Sequence, residues 1–197
     1  MLEANAMYIV LKPEAERADF HKATAALGLV KHGERPGDGQ KESYQEIWAT
    51  SDELNAVRYV EDPLSGTHFF SVRGPKTQSL VSQLARRLLV FAPEELIEMA
   101  QEAETHDEQV TAVFRLAVAF PQYDPGVFEL FSAYATQPPS PLLRMATLNA
   151  IGYRCWPECI PLLERVAQED QDAQVRQTAE RLLPYLREAV TRGDGRG

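Results

Sequence analysis

Basic residues are scarce in this chain. Lys and Arg number 20 against 29 Asp and Glu in 197 residues, a net charge of −9. That balance argues against the wide electropositive surface that sequence-independent nucleic-acid binding needs. Cysteine is scarcer still: two residues cannot build a disulfide scaffold, and the expectation is a reduced, cytoplasmic protein. No apolar run approaches the roughly 20 residues that span a bilayer, so no membrane-spanning helix is expected in these residues. The opening Met1-Leu2-Glu3-Ala4-Asn5 lacks the basic start and apolar core of a secretory signal. What remains, 44% hydrophobic and 25% charged, is the balance of an ordinary soluble globular protein.

The texture of the sequence changes near Pro75. Before it, aromatic and β-branched residues come in short runs separated by Gly, Pro and Asp. Met7 to Leu11 reads as a buried strand closed by Lys12-Pro13. Pro13 then suits the opening of a helix and Glu14 and Glu16 its positive end, with Ala18, Phe20, Ala25, Ala26 and Leu29 supplying the apolar residues. Residues 34–41, beside Gly33, read as a loop. Glu42 to Thr50 puts Tyr44, Glu46 and Trp48 on one face of a strand. Val57 to Glu61 and His68 to Arg73 form a hairpin across Asp62-Pro63-Leu64-Ser65-Gly66. The order β-α-β-β-β predicts a small α+β domain over residues 1–75. About 75 residues bury only a modest core. A connecting helix over 76–92, with Leu80, Val81, Leu84, Leu88, Leu89 and Phe91, is expected to bury more of the sheet.

From residue 93 the chain reads as six helices, opening near Pro93, Asp107, Asp124, Pro138, Trp156 and Asp172, with a frayed tail over 191–197. The first helix of each pair can be superposed on the next. Asp107-x-x-Val110 matches Asp172-x-x-Val175, and Leu143-Arg144 matches Val175-Arg176 with Ile151 falling on Leu183. A fixed period with two helices per repeat is the mark of an α-solenoid. The strings Leu142 to Gly152 (LLRMATLNAIG) and Asp172 to Ala179 (DAQVRQTA) resemble HEAT-like repeats, including the short bacterial kind of phycobilin-lyase-type proteins. The resemblance covers residues 105–190 and is weakest in the first pair, where Thr111 replaces the Arg. It implies structural roles for Asp172, Arg144 and Arg176, and a concave face that binds another macromolecule.

Candidate chemistry is sparse. His21, His32, His68 and His106 are scattered, with no HExxH and no pair at i,i+4, so no metal site is expected. There is no GxSxG, and Gly37-Asp38-Gly39 lacks the strand-then-helix setting of a phosphate loop. Cys155 and Cys159 flank Trp156-Pro157 and read as buried, inert thiols at a repeat junction. The most specific surface feature is acidic: Glu94, Glu95, Glu98, Glu102, Glu104, Asp107 and Glu108 lie within fifteen residues that hold no Lys or Arg. Such a run is either a solvated face with favourable charges at helix N-termini or a patch that attracts a basic partner.

The expectation is therefore an α+β domain followed by a HEAT-like α-solenoid of about three helix pairs. Its expected role is that of a non-catalytic protein-binding scaffold, with no cofactor and no membrane association. A concrete version is an inhibitor or immunity-type protein that masks a basic partner with the seven acids. Two alternatives follow from the resemblance. One is a cofactor-handling lyase or chaperone that uses Cys155. The other is a HEAT-like nucleic-acid enzyme with a groove of Arg144, Arg154, Arg176 and Arg181.

Overall fold

A computed structural model describes residues 6–63, 65–137 and 140–194. They form two compact units, one running through Glu95 and one from Leu96 onward. The first is a five-stranded antiparallel sheet with helices on it. The second is all-helical.

The first unit contains β1 (Met7–Val10), α1 (Arg17–Ala26), β2 (Val30–Arg35), β3 (Tyr44–Ala49), β4 (Ala56–Asp62), β5 (Thr67–Arg73) and α2 (Thr77–Ala85). The strand order is β1-β5-β4-β3-β2, so the first strand pairs with the last and β2 is an edge. β2 corrects the expected β-α-β-β-β order: the run Val-Lys-His-Gly-Glu-Arg is a strand exposed on both faces. It shows no apolar alternation because neither face is buried, and a bulge between Lys31 and Gly33 breaks its period.

Two helix boundaries also differ from expectation. Pro13 sits in a turn closed by the Ala15 N–H on the Lys12 carbonyl (3.0 Å), and α1 begins only at Arg17. The Glu16 N–H donates to Asp19 Oδ2 (3.3 Å), so the helix start is set by that cap rather than by the proline. Gly28 then turns the chain out of α1 at φ +66°, a left-handed conformation that glycine adopts without a Cβ clash. The connecting helix stops at Ala85, well short of residue 92, because Val90 bridges Leu11 of the sheet instead.

The aromatic residues alternate across the sheet. Trp48, Tyr59 and Phe70 share one core with Phe20 of α1 and with Leu80, Val81, Leu84 and Leu88. Helix α1 and the α2 region therefore cover the same face. Phe20 lies 4.7 Å from the Tyr59 ring and 6.1 Å from Phe70. Phe69 points the other way, against Tyr8 at 6.1 Å.

The second unit holds most of α3 (Pro93–Glu102), followed by α4 (His106–Ala119), α5 (Pro125–Thr136), α6 (Pro141–Arg154), α7 (Cys159–Glu169) and α8 (Ala173–Asp194). Four of these helices, α4, α5, α6 and α8, start at a side-chain cap. Thr105 and Glu108 form a reciprocal cap for α4, while Asp124 accepts from the Val127 N–H and Ser140 from Leu142. Asp172 accepts from Gln174 and Val175 ahead of α8. Helix α6 packs between α4 and α8, and α5 touches α7. Gly152 permits the close approach of α6 to α8: a Cβ there would lie 3.1 Å from the Leu182 side chain. The expected frayed tail is helical through Asp194, and residues 195–197 lie outside the described residues, as do Met1–Asn5, Leu64, Pro138 and Pro139.

Candidate functional site

The seven acids of the predicted site divide by environment. Glu94 and Glu95 open α3 on the sheet-unit side of the division. Glu95 is occupied there, accepting from Lys12 Nζ (2.8 Å) and from the Ala92 N–H (2.7 Å), and the Lys12 bond first holds its carboxyl below the ordinary range. Glu98 is exposed on α3. Glu102, Glu104, Asp107 and Glu108 come together around a cleft of 540 Å³ between α3 and α4. Met99, Ala103 and Ala112 give that cleft an apolar lining, and Arg115 adds the one base among its lining residues. Glu108 is also committed locally, since its carboxylate caps the Thr105 N–H at 2.9 Å.

A second cluster, which the sequence did not single out as a site, lies in the first unit. The Glu46 side chain is fully buried on the α1 face of β3. Tyr44 donates to it at 2.7 Å, Trp48 Nε1 at 3.0 Å and Lys31 Nζ at 2.9 Å, and His21 Nε2 lies 2.9 Å from both oxygens. Burial pushes the Glu46 carboxyl up, but these bonds, led by Lys31, outweigh it and set the group at about 2. Beside it, Arg17 forms a two-bond pair with Glu61 (2.8 and 2.6 Å), and Tyr59 donates to the same carboxylate. The Arg17 guanidinium also stacks 3.6 Å over the Tyr44 ring.

The carboxylate and the two phenols hold fixed protonation states. Glu46 is ionised throughout the physiological range, and the Tyr44 and Tyr59 phenols are pushed up, first by burial and then by their carboxylate partners. Neither phenol is poised as a base or nucleophile near neutral pH. The sequence did carry a trace of the cluster. An acid stands between Tyr44 and Trp48 on the inward face of a strand, where an unpaired charge would be costly.

Most of the remaining candidates are engaged in local contacts. Asp38 Oδ1 accepts from the N–H groups of Gln40, Lys41 and Glu42 at 2.7–2.8 Å, so the amides a phosphate would need are already taken. Cys155 ends α6 at φ 56° with its thiol on the Gly152 carbonyl, and Cys159 is buried; both thiols are free. Burial pushes Cys159 up to about 12. Arg144 pairs with Asp170, Arg154 donates to the Ala117 and Val118 carbonyls, and Arg176 donates to the carbonyls of Asp170 and Gln171. Of the four arginines of the predicted groove, only Arg181 has no such contact described. Among the described residues no group of three or more His, Cys, Asp or Glu is placed to hold a metal ion, and no helix is long and apolar enough to cross a membrane.

Comparison of the chain with protein-family profiles, with curated proteins and with solved structures finds no match.

Proposed function

We propose that this protein is a non-catalytic protein-binding module whose α3–α4 cleft receives a basic segment of another protein, in the manner of an inhibitor or immunity-type mask. The observation that carries the reading is the convergence of Glu102, Glu104, Asp107 and Glu108 on one cleft with an apolar lining. Exposed acids around a concavity raise the local concentration of a cationic partner and speed its encounter. Met99, more than one-third exposed, offers an adaptable apolar contact for the stem of a Lys or Arg side chain. The layering of α4, α6 and α8 supports a HEAT-like reading of the scaffold, since stacked helix pairs are commonly used to present binding surfaces.

The test is a tagged pull-down from the native host at low and high salt, read by mass spectrometry. The expected result is one basic protein that elutes with salt. Its affinity should fall on Glu102→Lys/Glu104→Lys double reversal and hold on Glu98→Lys, which lies outside the cleft. Unchanged low-salt affinity in the double variant removes the proposal.

A further inference from the structure

The two edges of the sheet are finished differently. At β1 the chain covers its own edge: Val90 bridges Leu11, the Phe91 N–H donates to the Val10 carbonyl (3.0 Å), and Lys12 N–H to Leu89 (2.9 Å). The outer edge of β2 meets no strand among the described residues, and every β2 residue except Gly33 is exposed. Val30 is 52% exposed, and Ile47 on the neighbouring strand is 46% exposed. Unpaired backbone groups along such an edge are a template for another strand.

The side chains along β2 determine which strand fits. The bulge between Lys31 and Gly33 shifts the alternation, so that Lys31 stands opposite Trp48 and Glu34 opposite Glu46, both on the α1 face. Val30 and Arg35 stand opposite Ala49 and Gln45, both on the other face. Without the bulge, Lys31 and Glu34 would fall on opposite faces, because side chains alternate along a strand.

We infer that the protein self-associates through β2, two copies pairing these strands antiparallel about a twofold axis between His32 and Gly33. Within each copy Lys31 Nζ already binds Glu34 (2.5 Å) and Glu46 (2.9 Å). In that register Lys31 of each copy also faces Glu34 of the other, joining the two intrachain pairs into one network of alternating charge on the α1 face. Val30 faces Arg35 of the other copy on the opposite face, where Arg35 is already paired with its own Glu42 (3.2 Å), so no like charges meet. Gly33 has open space where a side chain would be, leaving room beside Ile47 for the imidazole of His32 from the second copy. A partner strand of unrelated sequence would not share this self-complementarity, and an isologous contact requires it. The inference stands independently of the acidic cleft, which lies in the other unit.

The experiment is sedimentation velocity on the full chain over a wide concentration series, with thermal melts to confirm folding of each variant. The expected result is a dimer fraction that rises with concentration. Glu34→Lys, which sets Lys against Lys31 twice, should weaken the dimer at least about fivefold. Val30→Glu, which places an acid opposite Arg35, should strengthen it, whereas a merely sticky apolar edge would weaken. A monomer at every concentration, a dimer indifferent to Glu34→Lys, or weakening by Val30→Glu each overturns the inference.

Discussion

Arg144 on α6 and Asp170 at the end of α7 meet through two parallel hydrogen bonds, Nε to Oδ2 at 2.7 Å and Nη2 to Oδ1 at 2.9 Å. Both side chains are less than one-tenth exposed. Burial alone would raise the Asp170 carboxyl. The Arg144 bonds, the Asp172 N–H and the charges of Arg144 and Arg176 bring it below its ordinary value. One buried carboxylate thus ties α6 to the α7–α8 turn.

Breaking that pair from one side is the first prediction. Asp170→Ala leaves a buried guanidinium uncompensated and should cost about 3–5 kcal/mol of unfolding free energy. The double change Arg144→Met/Asp170→Leu removes both charges and should recover most of the loss. Urea denaturation of Arg144→Met, Asp170→Leu and the double variant measures the coupling.

The second prediction concerns acid stability. Glu46 titrates at about 2 in the folded chain against 4.5 normally, so the folded state binds this proton less readily than the unfolded one. The resulting stabilisation, on the order of 3 kcal/mol, is fully present above the unfolded value. It is lost as pH falls from about 4.5 towards 2. Glu46→Gln should lower stability at neutral pH and flatten the dependence across that window. Denaturant midpoints measured at several pH values decide the point: an unchanged slope in the variant contradicts the assignment.

Thiol reactivity gives the third. Burial raises both Cys155 and Cys159, and only the thiolate attacks alkylating agents. Native protein treated with iodoacetamide at neutral pH should stay largely unmodified at both positions and become doubly modified in denaturant. Rapid native labelling of Cys155, detected by mass spectrometry, would instead favour the cofactor-handling alternative.

A fourth prediction follows from Arg154, which donates to the Ala117 and Val118 carbonyls at the end of α4. These are carbonyls at the negative end of a helix, where a cation is favourable. Arg154→Ala should cost about 1–3 kcal/mol and speed hydrogen exchange in the last turn of α4. Uniform exchange with no local change there would show that the contact contributes nothing to that helix end.

Much of this architecture was legible in the sequence, and the failures have identifiable causes. Five-residue apolar runs and Pro or Asp at helix starts mark elements through burial and capping, so β1, β3, β4, β5 and the later helices could be read directly. β2 buries neither face, and a strand without burial leaves no hydrophobic period. The α2 region continues an apolar stripe past Ala85, because Leu88 and Val90 are packed in non-helical backbone. Composition pointed to the acid run, yet only the fold shows that Glu102, Glu104, Asp107 and Glu108 share a cleft while Glu95 is tied to Lys12. Asp170 was invisible as the partner of Arg144, since that pairing depends on how α6 meets the end of α7.

The pairing of β1 with β5 also constrains how the chain can be made. During synthesis β1 emerges first, but its hydrogen-bonding neighbour is the last strand of the sheet, and the bridge at Val90 comes later still. The hairpin of β4 and β5 can form locally, whereas closing β1 against β5 must wait for a long loop to be drawn in. Until then an apolar Met7–Val10 segment stands without a partner. A chain halted before Val90 would lack the segment that covers β1, and would present that edge bare to whatever lies beside the ribosome.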